Sequence, residues 1–159
     1  MLIADIMTLE PKCCTPECTA QEAAGRMRQW SMGVLPVVED MEERKIVGIV
    51  TDRDLCLGVV AAGKVPAHVT VGECMTPNAI CCTTGEPVER ALQGMRDHHV
   101  RRLPVVDSAG RVVGIISLTD MIRYAALSEA DVVAAVAHIC EPAGILGRRK
   151  AAKELSVSH

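Results

Sequence analysis

Val47-Gly48-Ile49-Val50-Thr51-Asp52-Arg53-Asp54 returns as Val113-Gly114-Ile115-Ile116-Ser117-Leu118-Thr119-Asp120, 66 residues on. Working toward the N-terminus from each copy, the match continues. Leu35-Pro36-Val37-Val38 meets Leu103-Pro104-Val105-Val106, Met27-Arg28 meets Met95-Arg96, and Ala23 meets Ala91. Cys13-Cys14-Thr15 meets Cys81-Cys82-Thr83, and Met7-Thr8 meets Met75-Thr76, now at an offset of 68. The two-residue change falls in one charged turn, Glu39-Asp40-Met41-Glu42-Glu43-Arg44 against Asp107-Ser108-Ala109-Gly110. A length change confined to a turn is what a structural repeat tolerates.

Each copy reads as β-α-β-β-α. A short extended piece comes first, Cys13 to Thr15 or Ile80 to Thr83. Thr19-x-x-Glu22 is a capping box, and Ala20, Ala23, Ala24, Met27 and Trp30 predict one apolar helix face behind it. In the second copy Pro87 suits a first helical position, with Val88, Ala91, Leu92 and Met95 as the matching stripe. Val34–Val38 and Ile46–Val50 predict a hairpin covered on both faces, and a second helix opens after Thr51. Asp5-Ile6-Met7 and Glu73-Cys74-Met75 are lead-in turns, and Ala61 to Val69 is a linker broken by Gly63 and Pro66. Ser128-x-x-Asp131 caps one more helix, with Val132, Val133, Val136, Ile139 and Cys140 on its apolar face and Pro142 and Gly144 at its end. The expected organisation is one repeat over 7–66, a second over 75–131, and a C-terminal helix and flexible tail over 132–159.

The composition supports mixed α/β packing. Hydrophobic residues make up 49% of the chain but aromatic ones only 1%, so the core is built from Val, Ile, Leu, Ala and Met. A net charge of −3 argues against a polyanionic partner, and the cluster Arg148, Arg149, Lys150 and Lys153 reads as a solvated tail. No secretory signal and no long apolar run is present, which predicts a soluble cytoplasmic protein without membrane or nucleic-acid partners.

Thr51 with Asp54, and Ser117 with Asp120, stand at N-cap and N3 of their helices. A carboxylate there can accept two hydroxyls of a sugar, and the orphan N–H groups of the helix start favour phosphate. The same spacing is also an ordinary capping box, as at Thr70-x-x-Glu73, where no ligand is implied. Spacing leaves both readings open.

The repeat resembles the CBS (cystathionine-β-synthase) motif family, whose members work in pairs. The resemblance rests on Asp5-Ile6-Met7-Thr8, Leu35-Pro36-Val37-Val38, Gly48 to Leu55, Arg101 to Asp107 and Gly114 to Asp120. It implies two motifs packed sheet to sheet by pseudo-twofold symmetry, commonly dimerised further, and clefts that bind AMP, ADP, ATP or related adenosyl ligands. Carried onto this chain, it implies Thr51, Asp54, Ser117 and Asp120 as ribose-binding residues. An adenine slot would then be walled by Cys13, Cys14, Pro36, Ile80, Cys81, Cys82 and Pro104. Phosphates would meet Arg53, Arg101 and Arg102, with His98 and His99 nearby. The first copy has Gly33 and Val34 where the second has the arginine pair, so the two clefts are expected to be electrostatically unequal.

The eight cysteines include no Cys-x-x-Cys pair and read mainly as small core hydrophobes. No nucleophile elbow, metal-ligand motif or Gly-rich phosphate loop occurs, so catalysis is not expected. The sequence thus reads as a regulatory adenine-nucleotide sensor, a homodimer acting in trans on an unknown target. The alternatives are a dimerisation module with degenerate clefts and a thiol-redox or zinc-binding protein.

Overall fold

The computed structural model describes residues 1–124 and 127–140. In chain order the elements are β1 (Thr8–Leu9), α1 (Ala20–Gln29), β2 (Val34–Val38), β3 (Ile46–Thr51) and α2 (Asp52–Leu55), followed by α3 (Val71–Cys74) and β4 (Thr76–Pro77). Then come β5 (Cys82–Thr83), α4 (Val88–Asp97), β6 (Arg102–Val106), β7 (Val112–Ser117), α5 (Leu118–Tyr124) and α6 (Glu129–Ile139). A π-helical turn, Cys56–Val60, extends α2.

The β-α-β-β-α order is present twice. In the first motif Cys14 bridges Val37 in parallel, and β2 and β3 form the hairpin. In the second, β5 runs parallel to β6, and β6 and β7 form the hairpin. The Leu-Pro-Val-Val runs are almost wholly buried, as their continuous apolar character requires. Pseudo-twofold packing joins the two halves. Ile46 N–H donates to the Gly110 carbonyl (3.1 Å) and Val112 N–H to the Arg44 carbonyl (2.9 Å). Beneath those bonds Cys13, Val38 and Val112 form a small buried cluster between the sheets.

The lead-in segments are exchanged between the motifs. β1 precedes the first motif but pairs with β7 of the second, Thr8 opposite Ile115 and Leu9 opposite Gly114. β4 precedes the second motif but pairs with β3 of the first, Thr76 opposite Ile49 and Pro77 opposite Gly48. Each exchanged strand ends on a left-handed residue, Glu10 (φ 47) and Asn78 (φ 51), whose N–H donates to the Val113 and Val47 carbonyls. The cores follow this exchange. Ile3 is buried with Val88, Leu92, Met95, Leu103, Ile116 and Met121 of the second motif. Val69 and Val71 are buried with Ala23, Leu35, Val50 and Leu55 of the first.

Several sequence expectations shift. Ala20, Ala23 and Met27 face the core, but Ala24 and Trp30 do not. α1 stops at Gln29, and Trp30 is its non-helical C-cap (φ −104, ψ 9), so the helical stripe ends one turn short of the indole. The ring carries the Lys12 ammonium 5.5 Å from its centroid. Pro87 is the N-cap of α4, not its first helical residue: its ψ of 150 is extended. α6 buries Ala135 and Ile139, a spacing of i and i+4, and leaves Val133, Val136 and Cys140 exposed on other faces. Pro142, Gly144 and the basic cluster at 148–153 lie outside the described residues.

Candidate functional site

The two hairpins lean together over a cleft of about 510 Å³. Four stretches wall it: Gly33 and Val34 entering β2; Ile49 and Thr51 to Asp54 where β3 runs into α2; Thr76 and Asn78 to Ile80 on and after the exchanged β4; and His98 to Pro104 between α4 and β6. The cleft is therefore composite. The acidic signature of the first motif and the arginine pair of the second line the same cleft.

Thr51 and Asp54 form a complete capping box. Asp54 Oδ2 accepts from Thr51 N–H (2.8 Å) and Thr51 Oγ1 (2.7 Å), while Asp54 N–H donates to Thr51 Oγ1 (3.1 Å). Ser117 and Asp120 repeat it: Oδ2 accepts from Ser117 N–H (2.9 Å) and Oγ (2.6 Å). Among the described residues no hydrogen bond reaches Oδ1 of either aspartate. One oxygen holds the helix start and the other is left to accept from a ligand, so the capping and binding roles are compatible on one carboxylate. Glu22 and Glu73 close their boxes in the same way on exposed surface, away from this cleft. Of these boxes only Thr51–Asp54 lines the cleft; Ser117 and Asp120, half-buried, line no part of it, so neighbourhood and not spacing separates the boxes.

The charges around Asp54 are mixed. Arg53, Arg101 and Arg102 line the cleft, and none has a carboxylate within ion-pair distance among the described residues. Asp52 also lines it, held over Gly33, where a Cβ would stand 2.7 Å from its Oδ2. His98 and His99 complete the basic rim. At the counterpart positions of the other motif stand Thr119 for Arg53, Gly33 and Val34 for Arg101 and Arg102, and Lys12 for Ile80.

The residues expected to form an adenine slot separate into two groups. Ile80 and Pro104 line the cleft. Cys13, Cys14, Cys82 and Pro36 are buried in the packed cores and line no part of it; the half-buried Cys81 donates its thiol to the Ala79 carbonyl (3.2 Å). Adjacent strand residues face opposite ways, so a Cys-Cys pair cannot place both thiols in one groove. Burial pushes the thiols of Cys14 and Cys82 up to about 12, and that of Cys81 up to about 11. A thiol that ionises near 9 when unfolded but near 12 when folded contributes stability that is complete below pH 9 and lost as pH rises from 9 toward 12. Urea midpoints of wild type should therefore fall across that window. A Cys14→Ala/Cys82→Ala variant should show a shallower fall, and identical slopes would refute the assignment.

The signature glycines, Gly48 and Gly114, make room for the exchanged strands. A Cβ on Gly48 would stand 2.7 Å from the Thr76 carbonyl oxygen and 3.0 Å from Met75 Sδ, so the exchanged strand β4 occupies that space. The nearest backbone atom to a Cβ on Gly114 is Thr8 O at 3.2 Å, beyond the flexible Met7 side chain. Gly48→Ala should destabilise by about 1–3 kcal/mol and Gly114→Ala by less, read from urea melts. Equal and negligible effects would argue against strand exchange as their role.

The CBS domain model matches residues 3–60 and 71–127. The chain belongs to the CBS-domain family. Hypoxic response protein 1 of Mycobacterium tuberculosis is 34% identical over 138 residues, 87% of this chain and 93% of that protein. A crystal structure of Hypoxic Response Protein I with two coordinated zinc ions matches this fold at TM-score 0.70 and 31% identity, over 78% of this chain and 98% of that one. The CBS domain pair of protein MJ0100, in complex with 5-methylthioadenosine and S-adenosyl-L-methionine, matches at TM-score 0.70 and 32% identity, over 77% and 94%. CBSX2 in complex with AMP matches at TM-score 0.70 and 25% identity, over 78% and 95%. The match to the uncharacterized protein MK0525 of Methanopyrus kandleri, 35% identical, takes in 69% of this chain but only 55% of that protein. Among the described residues of this CBS pair, no three His, Cys, Asp or Glu side chains come together to hold a metal ion, and no helix is long and apolar enough to cross a membrane.

Proposed function

We propose that the chain is a regulatory module that takes an adenine nucleotide into the composite cleft and acts in trans on a target protein, without catalysing a reaction. One observation carries this reading. Thr51 and Asp54 stand on one wall of an open cleft, with three arginines and two histidines around it. A ribose diol accepted by the free Asp54 Oδ1 places its 5′-phosphate among Arg53, Arg101 and Arg102, and the base against Ile80 and Pro104. The adenosyl ligands of the MJ0100 and CBSX2 complexes support the same class of occupant. The openness of the cleft favours this reading over a module that only dimerises.

The Ser117–Asp120 box is the counterpart ribose site, and its weaker complement of basic residues makes the two sites unequal. Dimerisation and a cytoplasmic setting belong to the same proposal. Isothermal titration with ATP, ADP, AMP and adenosine tests it. The composite cleft should prefer the more highly phosphorylated ligands. Asp54→Asn, which keeps an oxygen for the cap but removes the charge, should weaken ATP about tenfold, the lower end of what a charge-assisted hydrogen bond contributes. Asp120→Asn should change that tight phase far less. No heat and no thermal stabilisation with any adenosyl ligand would refute the proposal.

A further inference from the structure

His99 belongs to two structures at once. It lines the cleft, and its Nδ1 lies 3.0 Å from the carbonyl oxygen of His138 in the last turn of α6. The two imidazoles stack, with centroids 5.1 Å apart and planes inclined by 20°. Its Nε2 has no partner among the described residues. His99 is itself locked in a left-handed conformation (φ 52) by the turn from α4 to β6, so its reach is set by the backbone. α6 has little else to hold it: Ala135 and Ile139 enter the second core, and Val133 is two-thirds exposed. A helix seated by two side chains and one polar contact is drawn from the low-stability end of a structure.

We infer that α6 is the output element of the module, docked more firmly when a phosphate occupies the cleft, with His99 as the coupling residue. The inference rests on the nucleotide reading of the cleft. The chemistry gives the direction. A neutral imidazole that donates through Nδ1 to the His138 carbonyl can only accept through Nε2. The imidazolium, formed by uptake of a proton from solvent, donates through both nitrogens, one to the phosphate and one to the helix carbonyl. A phosphate in the cleft can be held by His99 only through an Nε2–H, and a ring that donates at both nitrogens binds the negative end of the α6 dipole more strongly. Linkage is reciprocal, so seating α6 must tighten nucleotide by the factor by which nucleotide seats α6.

The test is hydrogen exchange of the peptide covering α6 in the full chain, with and without ATP, with affinity measured on the same samples. ATP should slow exchange in α6 by about 5–150-fold, the usual range of allosteric coupling. His99→Ala should abolish that slowing, and His99→Gln, whose amide can still donate to the carbonyl, should restore part of it. His138→Ala, at an exposed helical position, provides a second variant that removes the stack without touching the cleft, and should reduce the slowing. ATP binding with unchanged α6 exchange would overturn the coupling and leave the nucleotide reading standing. Full slowing in His99→Ala would overturn the role of His99. Absence of any nucleotide binding would overturn both readings together.

Discussion

Ile3→Ala should cost about 2–5 kcal/mol, the range for truncating a fully buried Ile, although the residue is third in the chain. A third residue is ordinarily a frayed end whose truncation is neutral. Here the side chain is wholly buried, and the segment around it is bonded to the second motif. Ile3 N–H donates to the Glu86 carbonyl (2.9 Å), Val88 N–H to the Met1 carbonyl (3.2 Å), and Leu2 bridges Pro87. Leu2→Ala, at a site nearly half exposed, should stay within about 0.5 kcal/mol and serves as the control. Urea unfolding followed by circular dichroism measures both. If the two substitutions cost the same, the N-terminal segment is not part of the second core.

Arg101→Ala combined with Arg102→Ala should lower the affinity for ATP by on the order of 100-fold, about 3 kcal/mol for two charge-assisted contacts. Adenosine, which brings no phosphate, should bind as before. The contrast matters more than the size of the loss. Both side chains are exposed and, among the described residues, unpaired, and Leu103 and Pro104 behind them carry the packing. A loss that is equal for adenosine would mean that the pair shapes the cleft and does not contact phosphate. The wild-type ATP affinity should also fall with added salt, and the double variant should show a shallower dependence. A titration series at two ionic strengths reads both effects.

Much of this was legible in the residues. The repeat announced itself because hairpin, capping box and helix stripe recur at fixed offsets. The Thr51–Asp54 and Ser117–Asp120 boxes were visible because capping is a local interaction between residues three apart. Ile80, Pro104 and the arginines came from the family resemblance and not from local spacing; they line one cleft. The cysteine pairs expected as slot walls line no part of this cleft; strand alternation states that neighbours face opposite sides, but not which side meets a cleft. Trp30 was misjudged because a helix face was extended past the residue at which the helix stops.

The sequence by itself determined two β-α-β-β-α units, where the helices with capping boxes begin, and which carboxylates stand at those beginnings. Each depends on periodicity or on contacts a few residues apart, and these are written in the chain. Only the tertiary structure decided that residues 1–9 serve the second motif and 69–77 the first. It alone made Gly48 a seat for a strand and brought Asp54 into one cleft with Arg101 and Arg102. With two near-identical hairpins, local pattern fits a lead-in strand to either one equally well. The choice is made by which pairing closes both cores at once, and that is a property of the assembled pair.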